Sequence, residues 1–125
     1  MGFSLQDAYH HIQYRFRYDL EPLKPVVAAY FTVRLDPPKI HVWTLLDVRH
    51  ETTENALARA EYNLMTSLRR GIWVEALADY VIFDFDFTTI HLRDRDPRQF
   101  IPEGARPIKI SHADVLQYFE EANRA

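Results

Sequence analysis

Residues 80–93 read YVIFDFDFTTIHLR, and their regular alternation is typical of a β-strand. Successive side chains of a strand point to opposite faces of a sheet. Four apolar residues therefore share one face, namely Val81, Phe83, Phe85 and Phe87. Asp84 and Asp86 share the opposite face, roughly 7 Å apart. Because aspartate is disfavoured in strands, this pair indicates either a solvated sheet face or a binding site.

The segment before this strand carries a clear helix pattern. Thr52 or Thr53 can cap a helix that ends at Gly71, after the basic residues Arg69 and Arg70. Its apolar stripe has the helical period and consists of Leu57, Ala60, Leu64, Met65 and Leu68. Residues 72–79 fit either one further helical turn or a buried connection.

Two further strands come earlier in the chain. Residues 26–35 are rich in β-forming residues, and residues 40–48 alternate apolar and polar positions. The sequence Asp36-Pro37-Pro38-Lys39 between them is typical of a turn. The two strands are therefore predicted to form an antiparallel hairpin.

The N-terminal region fits two structures. Residues 11–21 alternate like a strand, with Ile12, Tyr14, Phe16, Tyr18 and Leu20 on one face. The same region offers Ser4 as a helix cap, with Asp7 three residues on, and a helical spacing of apolar residues. We predict a short helical turn over residues 4–10 and a strand over residues 11–20, with a helix throughout as the competing interpretation.

The C-terminal part is predicted as a loop, a short strand and a helix. Residues 93–107 contain three prolines and a glycine, which is the composition of an exposed loop. Ile108 and Ile110 indicate a short strand, and Ser111 with Asp114 resembles a helix start. The following helix would present Val115, Leu116, Phe119 and Ala122.

The predicted class is therefore α+β, with the order β-β-β-α-β-loop-β-α. Most strands segregate into an apolar and a polar side, so we expect a mostly antiparallel, curled sheet with both helices packed on one face. A length of 125 residues fits one domain over residues 1–125.

Composition excludes several functions. The chain has no cysteine, which removes disulfides, thiol nucleophiles and Cys-ligated metals and fits a cytoplasmic protein. Three glycines cannot build a phosphate-binding loop or a dinucleotide fingerprint. We expect no cofactor. No apolar run approaches the length of a membrane span, and we expect no membrane partner.

A metal site is the first candidate for function. Asp84 and Asp86 could hold Mg²⁺ or Mn²⁺ if a third carboxylate lay beside them, since hard cations prefer oxygen ligands. The candidates for that third ligand are Asp47, Glu51, Glu54 and Glu61. This arrangement would suit a divalent-metal phosphodiesterase or nuclease.

Aromatic and basic residues give two further candidates. A chain with 14% aromatic residues is expected to leave some of them exposed, and exposed aromatics mark partner surfaces. The predicted interaction surface consists of Tyr14, Tyr18, Tyr30 and Trp43. Nucleic-acid contacts are predicted at Arg15, Arg17, Arg69, Arg70, Arg93 and Arg95, although the net charge of −3 disfavours that role.

The functional prediction from sequence is a non-enzymatic, cytoplasmic interaction or regulatory module that self-associates. The two alternatives are the metal-dependent phosphodiesterase or nuclease and an antitoxin-like regulatory domain that contacts nucleic acid.

Overall fold

The computed structural model describes residues 3–47, 51–92, 99 and 101–110. Its strands are β1 (Phe3–Ser4), β2 (Val26–Leu35), β3 (Pro38–Leu46), β4 (Ile72–Val74), β5 (Asp79–Val81), β6 (Asp84–His91) and β7 (Arg106–Pro107). Its helices are α1 (Leu5–His11), α2 (Arg17–Leu20) and α3 (Glu51–Leu68), with a π-helical turn (Ile12–Phe16) and a 3₁₀ turn (Glu75–Leu77). The α+β class is confirmed.

The strands form two sheets. The larger sheet has the order β6-β3-β2-β7, and the smaller sheet has the order β1-β4-β5. The β2–β3 hairpin is antiparallel, as predicted, but β3 and β6 run parallel, and so do β1 and β4. The expectation of a mostly antiparallel sheet was therefore wrong in part, because the sheets are mixed.

The predicted strand over residues 11–20 is a helix. Ser4 and Asp7 form a reciprocal capping box, in which the Ser4 hydroxyl accepts the Asp7 N–H at 3.1 Å. From there α1, the π-helical turn and α2 make one continuous stretch, called here the N-terminal helical stretch. It buries one apolar series completely, namely Ala8, Ile12, Phe16 and Leu20.

The π-helical turn explains how this series stays on one face. A step of four residues overshoots one α-helical turn by about 40°, so a series of four such residues would drift around the helix. A π-helical turn has hydrogen bonds between residues five apart rather than four, so it contains more residues per turn than an α-helix. The extra residues correct the drift. The sequence alternation is thus two interleaved helical series, one buried and one exposed.

The main apolar core lies between the helices and the larger sheet. The N-terminal helical stretch and α3 both contribute their buried faces, including Leu57, Ala60, Leu64 and Leu68 from α3. Across from them lie sheet residues such as Phe31, Ile40 and Val42. The α3 stripe is as predicted, although the helix already includes Thr52 and Thr53 rather than being capped by them.

Two other boundaries differ from expectation. Tyr80 and Val81 belong to β5 in the smaller sheet, and β6 starts only at Asp84. The short C-terminal strand is β7, and the buried Ile108 and Ile110 follow it without regular structure. The helix predicted from Ser111 lies outside the described residues.

We predict that Phe16→Ala and Tyr14→Ala differ sharply in their effect on stability. Phe16 is fully buried, so its truncation should lower the free energy of unfolding by about 3–5 kcal/mol. Tyr14 is exposed, so its truncation should change that free energy by only about 0.5 kcal/mol. Urea denaturation measures both values. Equal losses would mean that the two side chains share one face, as in a strand.

Candidate functional site

A polar row lies on the face of the larger sheet that points away from the helices. The parallel register places Lys39 beside Asp84, and His41 beside Asp86. The Lys39 ammonium reaches the Asp86 carboxylate, with Nζ and Oδ2 2.9 Å apart. This hydrogen-bonded ion pair lowers the pKa of Asp86 below its usual value. Because Lys39 and Asp86 are both well exposed to water, their pairing adds little stability.

His41 is held by two neighbours in the same row. Its Nε2 lies 2.8 Å from Thr88 Oγ1, and its ring stacks on Trp43 with 3.8 Å between ring centroids. Burial lowers the pKa of His41, and the nearby Asp86 carboxylate opposes that shift. A neutral imidazole hydrogen-bonded to Thr88 is consistent with a packing role on this face.

The carboxylates proposed as metal ligands do not converge. Asp84 and Asp86 point away from the helices, whereas Glu54 on α3 contacts His91, with Oε1 and Nε2 2.8 Å apart. His91 has the opposite parity on β6 and so lies on the helix side of the sheet. Within residues 3–47, 51–92, 99 and 101–110, no group of three or more His, Asp or Glu residues could hold a metal ion.

The surroundings of Asp84 and Asp86 are instead balanced in charge. A depression of about 490 Å³ beside them is also lined by the cations Lys39 and Arg69. Apolar walls come from Met65, Phe83 and Phe85. The burial pattern agrees with the predicted faces, since Phe83 is buried and both aspartates are exposed.

Two of the four aromatics predicted for the interaction surface are buried. Tyr30 and Trp43 belong to a second apolar cluster, with Ala28, Leu45 and Ile90, on the side of the sheet away from the helices. Leu92, Ile101 and Ala105 pack against this cluster. Tyr30 and Trp43 therefore offer no exposed surface, whereas Tyr14 and Tyr18 are exposed.

Four other exposed apolar side chains lie on the hairpin formed by β4 and β5 or directly after it. Trp73, Leu77, Tyr80 and Ile82 have between 37 and 72% of their surface exposed, and together they are called here the apolar patch. Trp73 and Tyr80 are cross-strand partners, and their rings meet edge to face with centroids 5.1 Å apart. The alternate residues Ile72 and Val74 point into the core.

The sequence pattern already indicated that two of the four residues of the apolar patch are exposed. Tyr80 and Ile82 have the same parity as Asp84 and Asp86, so the alternation already placed them on the water side. Trp73 and Leu77 lay in the segment whose structure the sequence left ambiguous.

Strand β5 is an edge strand of the smaller sheet within the described residues, and the backbone N–H of Tyr80 donates to Asp79 Oδ1 at 2.8 Å. Because Trp73 and Tyr80 are exposed, the outer face of the hairpin is accessible to a partner.

The predicted basic residues fall into two groups. Arg15 and Arg17 lie on the N-terminal helical stretch, where Arg15 lies over the Tyr18 ring and Arg17 Nε bonds Glu21 Oε1 at 3.1 Å. Arg69 and Arg70 follow α3 and are exposed. Arg93 and Arg95 lie outside the described residues.

Glu61 on α3 generates a prediction about pH. Its Oε2 is buried without a hydrogen-bond partner, and burial raises the pKa of Glu61 to about 7. The raised pKa means that the folded state favours protonated Glu61, so stability is lost as pH rises from the unfolded value of 4.5 through 7. We expect Glu61→Gln to remove this loss.

The expected gain for Glu61→Gln at pH 8 is at most about 3 kcal/mol, reduced by solvent screening because the side chain is only partly buried. Denaturation at pH 5 and pH 8 measures it. A variant with the same pH dependence as the natural chain would contradict the assignment to Glu61.

Two surfaces thus stand out in the described part of the chain: the apolar patch, and the exposed side of the N-terminal helical stretch. In the same part of the chain, no helix is both long and apolar enough to cross a bilayer. Comparisons of the chain with protein-family models, with curated proteins and with solved structures found no match.

Proposed function

We propose that this chain is a protein-interaction module that self-associates through the apolar patch. The supporting observation is the contact between the exposed rings of Trp73 and Tyr80, with exposed Leu77 in the turn between β4 and β5 and exposed Ile82 directly after β5. Single exposed apolar residues are ordinary on a protein surface, but contiguous groups mark contact sites. Aromatic residues also dominate the energetic centres of interfaces.

The charges around the patch favour a second copy as the partner. The β4–β5 register pairs Ile72 with Val81 and Val74 with Asp79, which fixes the two ends of the hairpin. Arg69 and Arg70 precede β4 and lie at one end, together with Lys39, Asp84 and Asp86. Three cations against two carboxylates leave this end net positive, and it is called here the basic end. Glu75 and Asp79 lie at the other end, called here the acidic end.

A two-fold axis in the plane of the interface, running across the strands, reverses the direction of the hairpin in the second copy. The basic end of each copy then meets the acidic end of the other. An axis along the strands would instead bring ends of like charge together, and their repulsion would weaken the dimer. The charge arrangement therefore supports an antiparallel, isologous dimer as the proposed assembly.

The proposed dimer is weak. Four side chains with a charged rim make a small interface, and association costs translational and rotational freedom that a small interface offsets only in part. We expect a dissociation constant on the order of 10 μM. The non-enzymatic character and the cytoplasmic location remain predictions from sequence.

We predict that Tyr80→Ser abolishes dimerisation. Tyr62→Ser is the matched control, because Tyr62 lies on α3 with 60% of its surface exposed, against 51% for Tyr80. Size-exclusion chromatography with light scattering over a dilution series measures the mass of each variant. The natural chain and Tyr62→Ser should approach the dimer mass at high concentration, and Tyr80→Ser should stay monomeric.

A second variant guards against an indirect effect, because Tyr80 also contacts Trp73. Ile82→Ser removes the most exposed side chain of the patch and should shift the dissociation constant at least tenfold. A natural chain that stays monomeric at concentrations of several hundred μM would refute the proposed self-association.

We also predict the outcome of a charge swap across the two-fold axis. Arg69→Glu/Arg70→Glu makes both ends of the hairpin acidic, and Glu75→Arg/Asp79→Arg makes both ends basic, so each pair of changes alone should weaken the dimer several-fold. The variant with all four changes restores opposite charges at opposite ends and should recover most of the affinity. Additive weakening in the variant with all four changes would exclude the antiparallel arrangement.

A further inference from the structure

A groove with a positive lining runs between the N-terminal helical stretch and β7. It has a volume of about 420 Å³ and is called here the cationic groove. Its lining residues are Gln13, Tyr14, Arg17, Arg106, Pro107 and Lys109. Three of these six side chains carry a positive charge and none carries a negative charge, in a chain whose net charge is −3.

The positive surface continues beyond this groove. A second depression of about 240 Å³ shares Arg106 with the cationic groove and adds Arg34, with Glu103 as its acidic residue. Arg106 is fixed at the junction, with its guanidinium 4.2 Å from the centre of the Tyr9 ring. Cations therefore follow one elongated path, which suits an extended polyanion better than a compact ligand.

An aromatic side chain lies in the same groove. Tyr14 is 59% exposed and stacks on His10, with ring planes 11° apart. It lies three residues before Arg17, so the two side chains are neighbours on one helix face. Tyr14 also belongs to the π-helical turn, a feature that often occurs at functional sites.

We propose that the cationic groove binds single-stranded nucleic acid. Arg17, Arg106 and Lys109 would contact successive phosphates, and a base would stack on Tyr14. Single-strand binding sites combine a positive groove that follows the backbone with aromatic side chains that stack on bases. An acidic peptide would use the cations but would have no need for the exposed tyrosine.

Arg17 also bonds Glu21, and this contact is compatible with binding. The Glu21 carboxylate accepts a hydrogen bond from Arg17 Nε, and the guanidinium remains a positive charge in the lining of the groove. The ion pair thereby orients Arg17 at the groove.

Fluorescence anisotropy with a labelled 12-nucleotide single strand, as DNA and as RNA, tests the proposal at low salt. The key variant is Arg106→Gln/Lys109→Gln. Its matched control is Lys24→Gln/Arg59→Gln, which removes the same charge from exposed positions outside the groove lining. Circular dichroism verifies that each variant is folded.

We expect the groove variant to lose at least tenfold in affinity and the control variant to lose less than threefold. The salt slope of log K should be about −2 for three phosphate contacts and should fall to about −0.7 in the groove variant. Tyr14→Ala should weaken binding about fivefold or more while the salt slope stays the same, because stacking adds no phosphate contact. Tyr80→Ser should still bind, since it tests a different surface.

Three results would overturn the proposal. One is the absence of binding to either strand at low salt. Another is an equal loss of affinity in the groove and control variants, which would reflect net charge alone. The third is tighter binding of a polyglutamate peptide of equal charge, with no effect of Tyr14→Ala, which would assign the groove to an acidic protein segment.

Discussion

The burial of one face of the N-terminal helical stretch against the larger sheet fixes both candidate surfaces. Ala8, Ile12, Phe16 and Leu20 are completely buried, whereas Tyr14 and Tyr18 between them are exposed. Tyr14 and Arg17 thereby face the cationic groove next to β7. The same packing anchors β1, because Ser4 is at once the end of β1 and the cap of α1.

That anchor extends to the apolar patch. Strand β1 pairs in parallel with β4, with Phe3 beside Ile72 and Ser4 beside Trp73. The helix start therefore positions the strand that carries Trp73. Ile72 and Val74 keep that strand attached to the core, which leaves Trp73 and its partner Tyr80 on the outer side. Loss of the capping box would consequently disturb the patch as well as the helix.

The sequence correctly predicted those helices and strands whose hydrophobic pattern fits only one type of secondary structure. The stripe of α3 and the β2–β3 hairpin depend on local periodicity and on a proline turn, and both are as predicted. The strand prediction for residues 11–20 was wrong because an apolar pattern that repeats every two residues also contains one that repeats every four residues. Within that alternation, the purely apolar members Ile12, Phe16 and Leu20 form the buried series, and the tyrosines form the other.

The remaining differences come from contacts that are distant in sequence. No local feature of β3 or β6 specifies that they lie side by side and parallel, because that pairing requires the intervening α3 as a crossover. The burial of Tyr30 and Trp43 likewise depends on Leu92, Ile101 and Ala105, which come much later in the chain. The composition correctly predicted that some aromatic side chains are exposed. Only the tertiary structure determines which ones they are.

The two proposed surfaces have a joint consequence for binding strength. A dimer formed through the apolar patch would carry two cationic grooves, related by the two-fold axis. A nucleic-acid strand long enough to reach both grooves would make its second contact at the effective concentration set by the tether rather than at the bulk concentration. Long strands should therefore bind more tightly than short strands only when the protein concentration exceeds the dissociation constant of the dimer. The affinity for a strand too short to reach two grooves should not depend on dimerisation. Two weak surfaces on a chain with a net negative charge would then suffice for selective binding of long single strands.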